Sequence, residues 1–109
     1  TCIRDYIHVV DLAKAHIKSL NRLLDNKNSS NYDVFNIGTG TGSSVLEVIK
    51  SFEKVSNQKL NYKIGSRRKG DIIEAYANTK KANSILNWEA KLSLDQAVNS
   101  AWKWQQKIQ

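Results

Sequence analysis

The chain has 109 residues, which suits one small domain with a single modest core and is short for a two-domain enzyme. Seventeen Lys and Arg against ten Asp and Glu give a formal charge of +7, which favours a polyanion or a smaller phosphate-bearing ligand as partner. No apolar run could span a bilayer and no secretory leader is recognisable at the start, so neither a membrane protein nor a secreted one is expected. Cys2 is the single cysteine, which excludes an internal disulfide and favours a reducing, cytoplasmic location.

The first third of the chain predicts a strand, a helix and a second strand. The segment "RDYIHVV" is rich in β-formers and ends at Asp11, a candidate N-cap for the helix. The polar run "DNKNSSN" ends that helix, and residues 32–38, "YDVFNIG", form the next predicted strand. The apolar stripe of the helix comprises Leu12, Ala15, His16, Ser19, Leu20, Leu23 and Leu24.

Two capping boxes predict where later helices begin. Ser44 with Glu47 forms an S-x-x-E pattern ahead of an apolar periodic run, and Ser93 with Gln96 repeats the arrangement near the end of the chain. We therefore expect a middle helix after Ser44 and a terminal helix after Ser93.

Shorter elements fill the space between these two helices. Residues 60–65 predict a strand, residues 74–78 an extended segment, and residues 79–86 a short helix. The alternation predicts an α/β fold, a small mainly parallel sheet with flanking helices, in which strands 32–38 and 60–65 run parallel across the middle helix. A parallel sheet needs cover on both faces, so we expect part of the fold to lie outside this chain.

The stretch "FNIGTGTGSSVLEVI" has the strand, glycine turn and helix of a dinucleotide-binding fingerprint. The third glycine of G-x-G-x-x-G is missing, because its two possible positions carry Ser43 and Val45. The acidic residue that should bind the ribose is also missing, since the next predicted strand ends in arginines. We therefore predict a plain turn before a capped helix, with no contact to NAD.

The concentrated positive charge lies in one loop. Arg67, Arg68, Lys69 and Asp71 surround Gly70, and guanidinium groups there could hold phosphate oxygens while the carboxylate accepts from sugar hydroxyls. A charged loop of this kind is also common as an exposed, solvated surface with no ligand.

Other chemistry-bearing residues have structural explanations. Arg4 stands beside Asp5 at the head of a strand and is typical of a local ion pair. His8 and His16 could serve as acid and base, but each lies in a predicted element that accounts for it. No Cys or His spacing indicates a metal. Three tryptophans are expected to anchor the terminal helix: Trp88, Trp102 and Trp104.

The order of the sequence blocks resembles one family. The blocks are "RDYIHVVDLAKAH", "FNIGTGTGSSVLEVI", "RRKGDIIEAYANTKKA", "LNW" and "AWKWQ". They look like the C-terminal, substrate-binding part of the UDP-glucose 4-epimerases, which are extended short-chain dehydrogenases. The resemblance covers residues 1–109 as one nucleotide-sugar-binding domain, about the last third of the family's length.

The resemblance implies particular roles. Arg4 and Arg68 would contact the diphosphate of a UDP-sugar, and Asp71 the uridine ribose, while Arg67 is a weaker candidate. NAD would be bound by an N-terminal Rossmann part that is absent from this chain. The catalytic residues would lie in that part as well. Alone, the chain should then be inactive. The full-length enzyme would be a homodimer that interconverts UDP-glucose and UDP-galactose through a 4-keto intermediate.

Departures from the family pattern leave alternatives open. Ile72 to Ala75 stand where some members carry a proline and a further aromatic residue, and Asn78 stands where Asp is usual. A UDP-N-acetylhexosamine epimerase, a UDP-uronate epimerase or a dehydratase therefore remains possible. Tyr76 and Lys80 match Y-x-x-x-K, but the family's catalytic pair lies upstream of the "RDYIHV" block, so we interpret the match as chance.

A function outside the family also remains open. A small basic domain could bind nucleic acid without sequence preference. The sequence shows no RRM, KH or helix-turn-helix signature, and aromatic residues do not interleave with the basic cluster. We therefore expect a UDP-sugar as partner, with no nucleic acid and no membrane.

Overall fold

The computed structural model describes all residues, 1–109, and contains three short strands and four helices. None of the helices combines the length and apolar composition that a membrane span requires. In chain order the elements are β1 (Ile3–Arg4), α1 (Val9–Leu24), β2 (Ser43–Ser44), α2 (Val45–Ser56), β3 (Glu74–Ala75), α3 (Lys80–Ile85) and α4 (Leu94–Ile108).

The sheet is small and mixed, with strand order β2-β1-β3. On one side of the central strand, Arg4 pairs with Ser43 in antiparallel register; on the other, it pairs with Ala75 in parallel register. The predicted α/β class, a small sheet with flanking helices, is confirmed. One of the two pairings is parallel, so the sheet is mixed rather than mainly parallel.

The prediction of parallel strands at residues 32–38 and 60–65 is wrong. Both segments are irregular, and the strands lie at β1, β2 and β3 instead. A β-strand exists only when its backbone N–H and C=O groups bond to a neighbouring strand, and neither segment has one beside it. A pattern of alternating apolar residues is therefore not sufficient to form a strand at either position.

The N-cap of helix α1 lies three residues before the predicted one. The N-cap is His8, whose ring Nδ1 accepts a hydrogen bond from Val10 N at 3.0 Å, so the assignment of Asp11 as N-cap is wrong. Asp11 lies in the first turn and is buried, and its carboxylate accepts from Lys91 N at 3.1 Å and Leu92 N at 2.9 Å. The first turn of α1 is thus joined to the segment that leads into α4.

Both predicted capping boxes are confirmed. Ser44 Oγ accepts from Glu47 N at 3.2 Å while the Glu47 carboxylate accepts from Ser44 N at 2.6 Å, and Ser93 with Gln96 makes the same reciprocal pair. These bonds satisfy backbone donors that the first turn of a helix leaves free.

Helices α2 and α4 pack against each other. The rings of Phe52 and Trp102 meet edge to face, with their centroids 5.2 Å apart. Beside them, Asp95 accepts from Ser51 Oγ at 2.6 Å and from Lys54 Nζ at 2.5 Å.

The core is small, and it sits between α1, α3 and the segment that follows α3. Its buried apolar residues are Ala15, Ala82, Leu86 and Trp88, and Trp88 Nε1 donates to the Asp11 carbonyl at 3.0 Å. Only Ala15 of the predicted α1 stripe is fully buried, whereas Leu20 and Leu24 are more than half exposed. The radius of gyration is 16.8 Å, against about 13 Å for a compact chain of this length. Much apolar surface is therefore open.

Tryptophan positions divide between core and surface. Trp88 is buried and Trp102 packs on α2, in agreement with a structural role. Trp104 is 62% exposed and anchors nothing within this chain.

Candidate nucleotide-binding site

The glycine turn that follows residue 37 is organised by the carboxylate of Asp5. Thr39 N and Thr39 Oγ1 donate to Asp5 Oδ1 at 2.9 and 2.7 Å, while Gly40 N donates to Oδ2 at 3.0 Å. Ala77 N, two residues beyond β3, donates to Oδ2 at 3.3 Å. One carboxylate thus joins the end of β1, the turn and the segment after β3.

Close approach explains two of the glycines in this turn. A Cβ on Gly38 would overlap the Asp5 carboxylate and the Ala77 methyl group, and a Cβ on Gly42 would overlap the Ile3 side chain. Gly40 instead has a φ of +77°, a conformation that glycine adopts without the steric cost of a side chain.

The same contacts answer whether this turn suits a dinucleotide. In a dinucleotide fold, backbone N–H groups of the glycine turn bind the pyrophosphate. Here the N–H groups of Thr39 and Gly40 already donate to Asp5, which is an anion and would repel phosphate. The turn therefore does not fit the pyrophosphate of NAD.

Asp5 remains ionised at unusually low pH. Partial burial raises the pKa of its carboxyl group, but hydrogen bonds from Thr39, Gly40 and Ala77 together outweigh burial and hold the pKa below its ordinary value. The charge that organises the turn is thus present throughout the neutral range.

Arg4 lies on the central strand and is partly buried. Its Nη1 donates to the carbonyl of Ile3 at 2.7 Å, and no carboxylate lies within ion-pairing distance of its guanidinium. The predicted ion pair with Asp5 is wrong, because the oxygens of Asp5 are turned toward the glycine turn. Arg4 therefore has no ion-pair partner within this chain.

The charged loop before β3 contains an internal ion pair. Arg68 Nε lies 3.0 Å from Asp71 Oδ2, and Asp71 N donates to the Arg68 carbonyl at 3.3 Å, across a turn in which Gly70 has a φ of +87°. The Arg68 side chain is 85% exposed, so this pair contributes little to stability and leaves the guanidinium accessible. Arg67 and Lys69 are also exposed.

Arg4 lies on β1, and the charged loop precedes the neighbouring strand β3. The loop leads directly into β3, and Ile3 N donates to the Ile73 carbonyl at 2.9 Å as the two strands meet. Arg4 makes no hydrogen bond or ion pair with Arg68 or Asp71. The structure thus connects β1, which carries Arg4, to the strand that follows the loop, and it shows no direct hydrogen bond or ion pair between Arg4 and Arg68.

Residues that could be mistaken for catalytic groups have local roles. His8 caps α1, and His16 Nδ1 lies 2.8 Å from the Leu12 carbonyl on an exposed face. Lys80 is the first residue of α3, where its N–H donates to Asn78 Oδ1 at 3.2 Å, and no hydrogen bond links it to Tyr76. No group of three or more His, Cys, Asp or Glu side chains is arranged to hold a metal ion.

Sequence reasoning missed the role of Asp5. Its partners Thr39, Gly40 and Ala77 lie 34, 35 and 72 residues further along the chain. The sequence shows an Asp beside a predicted strand and, separately, a glycine turn. Nothing in either pattern indicates that the two come into contact.

The chain is similar in sequence to UDP-glucose 4-epimerases. No protein-family model matches the chain. The UDP-glucose 4-epimerase of Bacillus subtilis is 50% identical to it over 105 residues, a match that covers 96% of this chain and 30% of the relative. The chain thus spans about a third of the length of the curated relatives that it matches.

Solved structures agree with the sequence comparison. The UDP-glucose 4-epimerase of Bifidobacterium longum, in complex with NAD+ and UDP, is 46% identical with a TM-score of 0.85, covering 98% of this chain and 31% of that one. The enzyme of Stenotrophomonas maltophila, with bound NAD and formylated UDP-arabinopyranose, is 40% identical with a TM-score of 0.91, covering 99% and 31%. By sequence and by fold, this chain is a relative of the C-terminal region of UDP-glucose 4-epimerases.

Proposed function

We propose that this chain is the nucleotide-binding part of a UDP-glucose 4-epimerase, which interconverts UDP-glucose and UDP-galactose through a 4-keto sugar. The observation that carries the proposal is the 50% identity to the Bacillus subtilis enzyme over 96% of the chain. The related Bifidobacterium longum structure holds both NAD+ and UDP, which supports these as ligands of the intact protein.

In this proposal, Arg4 and Arg68 bind the diphosphate. The planar guanidinium suits phosphate oxygens, which it can contact through two parallel hydrogen bonds. Arg4 carries a charge that no carboxylate neutralises, and the exposed pair of Arg68 with Asp71 is weak enough for a phosphate to displace the carboxylate. The two guanidinium groups attract the two negative charges of the diphosphate in the UDP-sugar.

Asp71 then becomes the contact for the ribose. Its Oδ2 accepts from Arg68 Nε in the present structure, and transfer of Arg68 to phosphate would release that oxygen to accept from a sugar hydroxyl. The ion pair within the loop is thus exchanged for two contacts to one ligand.

Tight binding of the nucleotide serves the chemistry at the far end of the substrate. In the intact enzyme, NAD held outside this chain would supply the hydride acceptor and donor for C4 of the hexose, and an acid–base group also outside this chain would handle the proton of the C4 hydroxyl. Because the UDP part alone is held, the 4-keto hexose can turn over between these steps without escaping. We assign no catalytic residue to this chain and expect it to be inactive by itself.

The test is an epimerisation assay on the intact protein that contains this sequence. UDP-glucose should be converted to UDP-galactose, and conversion should fall when either Arg4 or Arg68 is replaced by Ala. An intact protein that binds neither UDP nor a UDP-sugar would contradict the proposal. A reading frame without a Rossmann fingerprint and Y-x-x-x-K upstream of this sequence would also count against it.

A second candidate is an epimerase or dehydratase acting on another UDP-sugar. The Stenotrophomonas maltophila relative is solved with a formylated UDP-arabinopyranose, so similarity of this kind extends to proteins that bind other sugars. Asn78 and the segment Ile72 to Ala75 depart from the pattern of the family. UDP binding without turnover of UDP-glucose, followed by turnover of UDP-N-acetylglucosamine or UDP-glucuronate, would favour this candidate.

A further inference from the structure

We infer that Asp5 is a positioning residue for nucleotide recognition, which acts by fixing the end of β1 and thereby the guanidinium of Arg4. This inference rests on the proposed function, because it takes Arg4 as a diphosphate contact. It adds a residue that touches no ligand but determines where the phosphate-binding group stands.

The contacts of Asp5 tie together three segments that are distant in sequence. Its carboxylate accepts two hydrogen bonds from Thr39, one from Gly40 and one from Ala77. These partners come from the glycine turn and from the backbone just beyond β3. Four hydrogen bonds to a single ionised group form a strong anchor, since each is charge-assisted.

Arg4 is the residue directly before this anchor. Its backbone is paired on both sides in the sheet, with Ser43 on β2 and Ala75 on β3. The hydrogen bond of its side chain goes to the Ile3 carbonyl, at 2.7 Å. Because Asp5 fixes the backbone directly after Arg4, the position from which the Arg4 side chain extends is also fixed. The guanidinium N–H groups that do not bond Ile3 remain available for an anion.

Geometry and charge predict opposite effects when Asp5 is replaced by Asn. The substitution removes a negative charge next to Arg4, so a purely electrostatic effect would strengthen phosphate binding. It also turns an amide NH₂ toward backbone donors, which breaks part of the anchor and lets the end of β1 shift. The inference therefore predicts weaker binding, against the direction that charge alone would give.

The experiment is a double-mutant cycle on UDP affinity in the intact protein, measured by calorimetry. Asp5→Asn should raise the dissociation constant for UDP about tenfold, the effect expected from losing one well-placed charge-assisted contact. In an Arg4→Ala background the same substitution should add less than about twofold, because the group that it positions is gone. In steady-state kinetics Asp5→Asn should raise KM with little change in kcat.

Controls separate positioning from general loss of stability. Asp95→Asn removes another carboxylate that accepts hydrogen bonds from a Ser and a Lys, but on the α2 to α4 contact. It should leave UDP affinity unchanged. Thr39→Val removes the hydroxyl that bonds Asp5 and the backbone of Thr41 while keeping the side-chain shape, so it should weaken UDP binding in the same sense by a smaller factor. It remains informative if Asp5→Asn does not fold.

The outcomes are distinct. If Arg4→Ala weakens UDP binding but neither Asp5→Asn nor Thr39→Val does, the positioning role of Asp5 is refuted while the proposed function stands. Equal effects of Asp5→Asn with and without Arg4 would refute it as well. If Arg4→Ala itself has no effect on UDP affinity, the assignment of Arg4 under the proposed function fails first, and the role of Asp5 fails with it.

Discussion

The carboxylate of Asp5 lies so close to Gly38 that a methyl group on this glycine would overlap its oxygen atoms. Gly42, four residues later, stands in the same relation to the side chain of Ile3 on the central strand. The glycine turn therefore presses directly against β1. Its glycines serve the contact between two parts of the same chain, and this explains their presence without a dinucleotide.

Replacing Gly42 by Ala should destabilise the intact protein by about 1 to 3 kcal/mol, because the new methyl group would force Ile3 and the Tyr76 ring apart. Gly65 offers a matched control. No atom lies within 4 Å of its would-be Cβ and its φ is not in the left-handed region, so Gly65→Ala should be neutral or slightly stabilising. Chemical denaturation measures both, and equal effects of the two variants would contradict the packing argument.

Stability should depend on Asp5 in a specific pH window. The hydrogen bonds of the folded state hold the pKa of Asp5 below its unfolded value of about 3.9, so its stabilising contribution is complete above that value. The contribution is lost as the pH falls through the lower, folded pKa. The stability difference between wild type and Asp5→Asn should therefore be largest above about pH 5 and should shrink on acidification.

Thermal melting of both proteins between neutral and strongly acidic pH tests this. The difference between the two curves is needed because hydrogen bonds lower the pKa values of three other carboxyl groups: Asp33, Glu47 and Asp95. A difference that stays constant with pH would show that Asp5 is not held ionised by the turn.

Local signals in this sequence were reliable, and contacts between distant segments were not visible. The box of Ser44 and Glu47 could be predicted because both partners lie within one helical turn. The N-cap was misplaced because His8 and Asp11 are both able to accept from backbone N–H groups, and only the packing of Asp11 against Lys91 and Leu92 decides between them. Strand positions failed for the same reason, since pairing is a property of two segments.

The site divides in the same way. The loop containing Arg68 and Asp71 was recognised as a candidate from composition alone, and their ion pair is a local, i to i+3 contact. The role of Arg4 as a diphosphate contact is predicted by the family resemblance alone. The sequence does not show that Arg4 lacks a carboxylate partner, because this depends on Asp5 facing the glycine turn.

Substituting Arg68 by Ala in the intact protein should weaken UDP binding by about 1.5 to 3 kcal/mol, the range for a charge-assisted contact. The substitution also removes the ion pair with Asp71, but this should change the stability of the protein little because Arg68 is exposed. Arg67→Ala is the matched control, since it removes an exposed guanidinium one residue away and should have a smaller effect. UDP affinity within error of wild type in Arg68→Ala would remove the loop from the site. An equal loss in both variants would contradict a specific role for Arg68.

The 109-residue chain should not bind NAD. The N–H groups of Thr39 and Gly40 are engaged by Asp5, whose negative charge would also repel phosphate. Calorimetric titration with NAD should show no saturation in the micromolar range. Micromolar binding that disappears in Gly40→Ala would prove the turn to be a cofactor site after all.

Binding of UDP by this chain alone should be no tighter than about millimolar. The loop is exposed and Arg4 lies on an open sheet, so the ligand would be contacted from one side only and must still lose its freedom of motion. The exposed apolar residues of α1 should also favour self-association. Titration with UDP followed by amide NMR tests both expectations, and sharp monomeric spectra with saturation at micromolar UDP would overturn them.

The attachment of Asp11 to Trp88, Lys91 and Leu92 has a consequence for biosynthesis. These partners lie 77 to 81 residues further along the chain, so α1 cannot bury its first turn while it leaves the ribosome. At about 5 to 20 residues per second, translation of the 77 residues from Asp11 to Trp88 takes roughly 4 to 15 s, during which the helix lacks this partner. We expect α1 to be sensitive to protease in ribosome-bound chains arrested before that residue and protected in longer ones. Codons that slow translation in this interval would prolong the exposure of its apolar surface.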